Sequence, residues 1–108
     1  MELTRTATLT IPKSSHTSGI HQISESIHIG MLFPASFTGD TVSFQAAEKR
    51  DGTFGAVYAD GNTLVTVTVQ ASAWVTLPDE LRPYHSIKVI ASSSQAAART
   101  LTLSHKAT

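Results

Sequence analysis

Thr41 to Gln70 reads TVSFQAAEKRDGTFGAVYADGNTLVTVTVQ, and its alternation decides the fold class. Val42, Phe44 and Ala46 alternate with Ser43, Gln45 and Ala47, until Asp51-Gly52 breaks the run. Phe54 to Tyr58 is a short second segment of strand character, broken in turn by Asp60-Gly61-Asn62. Val65, Val67 and Val69 then alternate with Thr66, Thr68 and Gln70. Period-two alternation gives an extended strand one apolar face and one wet face. Gly and Asn accept the positive φ of tight hairpin turns. The stretch therefore predicts an antiparallel meander of three strands.

The flanks carry the same pattern. Leu3, Ala7, Leu9 and Ile11 fall on one face of a first strand, interrupted by Arg5, with Thr4, Thr6, Thr8 and Thr10 on the other. Thr is a good strand former, and Pro12 stops the run because it has no N–H for a ladder. Lys13 to Gly19 is a polar loop. Apolar residues then fall at Ile23, Ile27, Ile29, Met31 and Phe33. They predict a short strand near Gln22–Ser24 and a longer one from Ser26 to Leu32, ended by Pro34. Trp74 to Leu77 reads as a brief strand, and Pro78 to Pro83 as a turn or a single helical turn. His85–Ala91 and Arg99–Ser104 read as the last two strands, separated by the small-residue loop Ser92–Ala98, and residues 105–108 as a frayed tail. The predicted core is Val42, Phe44, Val65, Val67, Val69, Ile87, Val89, Leu101 and Leu103. Eight or nine short strands, with turn signals at roughly 8–12-residue spacing, read as an all-β chain: a single antiparallel β-sandwich, jelly-roll-like.

A chain of 108 residues is one domain. At this size it buries roughly 65% of its unfolded surface, enough for one modest core. Eight Lys and Arg balance eight Asp and Glu without any block of one sign, which argues against a phosphate-binding surface and a nucleic-acid partner. The absence of cysteine excludes disulfides, thiolate metal sites and Cys nucleophiles. Met1 to Arg5 has neither a basic start nor an apolar run, so no leader is expected, and no stretch approaches the roughly 20 apolar residues of a membrane helix. A soluble protein made in the cytoplasm of its producer is the expectation.

No catalytic set emerges. His16, His21, His28, His85 and His105 show neither i,i+2 nor i,i+4 spacing, so neither a metal nor a cofactor is expected. His16 and His21 flank one loop and could meet by folding, but exposed or partly buried strand positions are the expectation for all five. Asp79 and Glu80 sit beside Pro78 in a turn, where acids are solvated rather than converged on a cleft. Asp51 and Asp60 precede Gly in turns, where local hydrogen bonding explains them. No Gly-x-Ser-x-Gly elbow and no Gly-rich phosphate loop occur. Trp74, Tyr58, Tyr84 and Phe54 offer an aromatic platform for sugars if exposed, but Trp74 stands among small residues in a short strand, which favours the core.

Two features point to assembly. The first strand is long, Thr-rich and terminal, hence an edge, and edges expose unpaired backbone groups. The Lys13–Gly19 loop is long for a compact sandwich. Leu3, Thr4, Arg5, Thr6, Thr8, Thr10, Lys13 and His16 are accordingly the candidate interface, within a 1–25 segment given to assembly.

The ordered punctuation also resembles a family. Ile29 to Asp40 reads Ile-x-Met-x-x-Pro-Ala-Ser-Phe-Thr-Gly-Asp, followed by Val-Ser-Phe-Gln (42–45), Asp-Gly-Thr-Phe (51–54), Tyr-x-Asp-Gly-Asn (58–62), Ile-Lys-Val (87–89) and Gln-Ala-Ala-Ala-Arg-Thr-Leu-Thr-Leu (95–103). This resembles small structural proteins of tailed bacteriophages, from about Ile27 to Leu103. Phe37 stands where that pattern has Trp, and the loop at Ala91–Gln95 is shorter. The resemblance implies a virion β-sandwich without enzymatic activity, a capsid decoration or cement protein. Its partners would be the major capsid protein or other virion proteins, and a homo-oligomer, a trimer, is expected. The alternative is a neck, tail or fibre component, or a carbohydrate-binding sandwich used in host adsorption. An exposed Trp74 beside Tyr84 favours the sugar-binding reading, and a buried Trp74 the shell-binding one.

Overall fold

The computed structural model describes residues 4–23, 28–50 and 52–106. Among the described residues nine strands follow in order: β1 (Thr4–Ile11), β2 (His21–Gln22), β3 (His28–Leu32), β4 (Thr41–Ala47), β5 (Gly55–Ala56), β6 (Thr66–Thr68), β7 (Trp74–Thr76), β8 (Ser86–Ala91) and β9 (Arg99–Lys106). One 3₁₀ turn, Asp79–Leu81, lies between β7 and β8. The strands form two sheets. The first has the order β1-β9-β3-β7; in the second β2, β8 and β4 lie side by side and β4 carries β5 and β6 on its far edge. All pairings are antiparallel.

The pairing is nested. β1 pairs with β9, β2 with β8, β3 with β7, and β4 with β5 and β6. Contacts of β3 with β9 and of β4 with β8 then complete the sheets. A long hairpin wound on itself in this way is the jelly-roll form of the sandwich.

The central stretch departs from the expected meander. β5 and β6 do not pair with each other. Gln45 faces Ala56 and Ala46 faces Gly55, while Val42 faces Val67 and Thr41 faces Thr68. Both segments thus lie end to end on β4 as one broken strand. Between them the chain loops out through a small hairpin, closed by the Tyr58–Leu64 bridge and by Ala59 N–H donating to Thr63 O at 2.8 Å. The Asp-Gly-Asn turn is real, but it tips an excursion rather than joining two full strands.

Alternation fixes which side chains turn inward. In β4 the side chains of Val42, Phe44 and Ala46 are buried and those of Thr41, Ser43 and Gln45 half-buried. Leu9, Ile11, Met31, Phe33, Ile87, Val89, Leu101 and Leu103 meet them between the sheets, each 5% exposed or less. Eight of the nine expected core residues are buried; Val67 is half-buried and packs against the core from the short β6. The last strand runs to Lys106 and buries His105 at 2% exposure, so residues 105 and 106 belong to β9 rather than to a frayed tail. Among the described residues no buried side-chain nitrogen or oxygen lacks a hydrogen-bond partner.

Candidate functional site

β1 pairs with β9 along its whole length and is the outermost strand of the first sheet, so its other side is an edge among the described residues, closed only at its end where Thr10 O accepts Gly19 N–H at 3.3 Å. The expected interface residues distribute unevenly along it. Thr6, Thr8 and Thr10 are exposed. The backbones of Thr4 and Arg5 pair with Lys106 and His105, and Leu3 lies outside the described residues. Lys13 and His16 are exposed as well.

The Lys13–Gly19 segment is more constrained than a free polar loop. Ser18 N–H donates to Val89 O at 2.9 Å, and Val89 N–H returns a bond to Ser18 Oγ at 2.8 Å. Ala91 N–H donates to His16 O at 2.7 Å, and Thr17 bridges Ile90. Ser14 N–H donates to Gln95 O and Gln95 N–H to Ser15 O. The segment thus runs beside β8 and prolongs the edge of the second sheet upstream of β2. Much of its backbone is used within the chain, which leaves β1 as the freer of the two proposed contact elements.

Gln95 is a residue that sequence reasoning passed over. Its side chain is 1% exposed and sits where three loops meet. Oε1 accepts from Thr38 N–H at 2.9 Å and from Arg99 Nε at 3.3 Å; Nε2 donates to Thr38 O at 2.7 Å and to Ser93 O at 3.0 Å. Every hydrogen-bonding position of the amide is occupied. The signal in the sequence is faint: one long polar residue inside a run of small ones.

The histidines also assemble in a way that spacing did not show. His21 of β2 and His105 of β9 approach Nε2 to Nε2 at 2.8 Å, joining the two sheets across 84 residues of sequence. Such a bond requires one Nε2–H donor and one Nε2 acceptor, so the two rings are in different protonation or tautomeric states. The partner of His21 is thus His105 rather than His16, the neighbour that the loop between them could have brought up. Among the described residues no group of three or more His, Asp or Glu could hold a metal ion.

The acids stay apart from any cleft. Asp79 reaches Arg82 at 3.9 Å with both side chains more than half exposed. Asp60 Oδ1 accepts the N–H groups of Asn62 and Thr63 at 2.8 and 2.9 Å. These bonds, Asn62's first, hold its carboxyl below the usual range.

The aromatic residues do not form one platform. Tyr84 packs against the core, Phe54 lies under Lys88 Nζ at 4.6 Å, and Tyr58 is exposed on the Tyr58–Leu64 excursion. Trp74 is 55% exposed, which corrects the expectation that it fills the core. It lies at an even register with the outer residues of the first sheet, because β7 alternates in phase with β3: Leu32 faces Trp74, and Gly30 faces Thr76. The indole lies toward Gly30, where a Cβ would meet Trp74 Cε3 at 3.5 Å. The outer face around it is rich in hydroxyls. Thr8, Thr102, Leu32 and Trp74 form one cross-strand row, and Thr6, Ser104, Gly30 and Thr76 the next.

No protein-family model matches the chain, and no curated protein matches it. Two solved structures are similar to it. The crystal structure of the SPBc2 prophage-derived protein YomS is 10% identical with a TM-score of 0.60, over 96% of this chain and 95% of that one. The second belongs to the Bacillus endospore appendages that form disulfide-linked pili, 13% identical with a TM-score of 0.45, over 100% of this chain and 87% of that one. Among the described residues no helix is long and apolar enough to cross a membrane. At such identity the likeness to the prophage-derived protein shows a shared fold, and over nearly the full length of both chains.

Proposed function

We propose that this chain is a non-enzymatic structural protein of a tailed-phage particle, a decoration or cement protein on the outer shell. It works without a cofactor, as a homo-oligomer, a trimer, and its partners are the major capsid protein or neighbouring virion proteins. The observation that carries this reading is the eight-residue β1, paired with a strand on one side only, its other side meeting the chain at Thr10 O alone among the described residues. An edge of this kind is a template for another chain, and Thr6, Thr8 and Thr10 do nothing to blunt it, since they carry no charge and no proline. Each backbone bond added there contributes only about 0.5–1.5 kcal/mol net. Repetition by closed symmetry compensates, because contacts held on one rigid oligomer gain effective concentration. The likeness to a prophage-derived protein and the resemblance carried by Ile29–Asp40 and Gln95–Leu103 support the same reading. Exposure of Trp74, although Tyr84 packs against the core rather than joining it in a platform, supports a second role, contact with host sugars during adsorption.

The test leaves the core untouched. Deleting β1 would strip Leu9 and Ile11 from between the sheets, so the strand is altered on its exposed side instead. Thr6→Lys with Thr8→Lys should melt within a few degrees of wild type, sediment as a smaller species and lose occupancy on purified particles. Wild-type occupancy of the double variant, or absence of the chain from mass spectra of purified particles, would overturn the proposal.

A further inference from the structure

We propose that the outer face of the first sheet, centred on Trp74, is a binding groove for a neutral, extended oligosaccharide. The inference deepens the adsorption reading and rests on it only for the source of the sugar.

Two depressions lie along the course of β3, one lined by the indole and one past Leu32, the residue that faces Trp74. One, of about 280 Å³, is lined by Ile29, Gly30, Trp74, Thr76, Ser104 and Lys106. The other, of about 310 Å³, lies beyond Leu32, between Pro34 and Ser72 on one side and Thr100 and Thr102 on the other. Both stand at the lower end of the roughly 300–1,000 Å³ of a typical ligand pocket. Strand rise sets their separation: Gly30 to Pro34 spans about 13 Å. Two shallow hollows in line on one face suit a chain of several linked rings better than one compact molecule.

The chemistry of the lining names the class of ligand. A sugar ring has an apolar C–H face and a rim of hydroxyls. Trp74 supplies an amphipathic aromatic surface, apolar on its ring and polar at its N–H. Gly30 permits it to lie close to the sheet: a Cβ there would already touch the ring at 3.5 Å, so a branched side chain with atoms beyond Cβ would crowd it. Thr76, Ser104, Thr100 and Thr102 supply hydroxyls that both donate and accept, as a rim of sugar hydroxyls requires. Lys106 is the charged group of these linings, at one end, so the lining matches a neutral ligand rather than a polyanion. A protein partner would call for a broader apolar centre than one ring beside a half-buried Leu32. Backbone rigidity adds to the case around the indole: Gly30, Trp74, Thr76 and Ser104 stand on paired strands, so little order is lost there on binding, while Pro34 and Ser72 of the second depression belong to loops.

The chain has a single Trp, so its emission reports on this groove alone. The full chain is titrated with cellohexaose, maltohexaose, chitohexaose and mannohexaose, and separately with hyaluronan fragments as the acidic probe. At least one neutral hexaose should change the intensity or wavelength of Trp emission saturably at millimolar concentration or below. Calorimetry with that sugar should show Trp74→Ala weakened about tenfold or more and Trp74→Tyr only partly weakened, with melting curves of both near wild type. Gly30→Val, which fills the seat of the indole, should weaken binding as well. Silence from all four neutral sugars would overturn the proposal. Binding of the acidic probe alone, lost in Lys106→Ala but kept in Trp74→Ala, would do the same. So would a Trp74→Ala variant that binds sugar normally but sediments as a smaller species, which would assign the face to a second copy of the chain. None of these outcomes depends on particle occupancy, so the groove and the shell reading fail independently.

Discussion

Replacing Gln95 separates hydrogen bonding from packing in this fold. Gln95 is buried, and its amide makes four bonds that tie the β3–β4 connection, through Thr38, to the β8–β9 connection, through Ser93, and to the start of β9, through Arg99. Gln95→Ala removes all four. At about 0.5–1.5 kcal/mol net per bond the nominal sum is about 2–6 kcal/mol. Thr38 and Ser93 are exposed residues whose backbones water can reach after the change, which moves the expectation to about 2–3 kcal/mol. For a domain of this size that is roughly 10–20 °C in Tm. Gln95→Glu is the sharper experiment because it preserves shape. One carboxylate oxygen keeps Thr38 N–H and Arg99, but the other faces Thr38 O and Ser93 O, acceptors at 2.7 and 3.0 Å from the atom it replaces. Acceptor against acceptor is repulsive, so at neutral pH the variant should lose at least as much as Gln95→Ala. Protonation restores a donor toward Thr38 O, so the folded-state pKa of this carboxyl lies above its unfolded value of about 4.3. The contribution of the protonated form is fully present below that unfolded value and is lost as pH rises through the folded one. Urea melts of the three proteins from pH 3.5 to 7 test this. A Gln95→Glu protein as stable as wild type at neutral pH, or one whose deficit shrinks as pH rises, would refute the assigned orientation of the amide.

Phe44→Ala, at a site 1% exposed in the middle of β4, should cost about 3–5 kcal/mol by chemical denaturation, whereas Val67→Ala on the half-buried edge segment should cost clearly less. Gly39 has φ +110° and a Cβ there would stand 2.7 Å from Ser92 Oγ, so Gly39→Ala should destabilise by about 1–3 kcal/mol in the same assay. Asp60, its carboxyl held low by the N–H groups of Asn62 and Thr63, contributes stability above its ordinary range that is lost as pH falls through the lowered value. Asp60→Ala should therefore flatten the acid limb of the stability profile, with Asp60→Asn keeping most of the turn; an unchanged acid limb would count against the bond.

The strands were legible wherever a buried face alternates with a wet one. Val42, Phe44 and Ala46, and Leu101 and Leu103, declare their own register because a slip of one residue would turn apolar side chains to water. Partner choice was not legible in the same way. Val65 and Val67 alternate as well as a strand in a meander would, but whether β6 pairs with β5 or shares the edge of β4 depends on where the turn between them points. The Asp60 turn closes only the short Tyr58–Leu64 excursion, and β4, already committed to β8 on one side, has its other edge free for both segments.

The candidate sites follow the same division. That β1 ends a sheet could be read from its terminal position and its threonines. That Trp74 faces outward could not, because three residues of strand do not reveal which face is buried: Val75, not Trp74, packs against the core, and either phase satisfies the sequence. What fixes the phase is the pairing of β7 with β3, where Met31 is buried and faces Val75. Once Met31 points inward, Leu32 and Trp74 are carried to the outer side of the sheet. Gly30, likewise on the outer phase of β3, then leaves the space into which the indole settles. The exposed ring is thus set by the register of its neighbours, and a one-residue shift of β7 would bury the ring and remove the groove altogether.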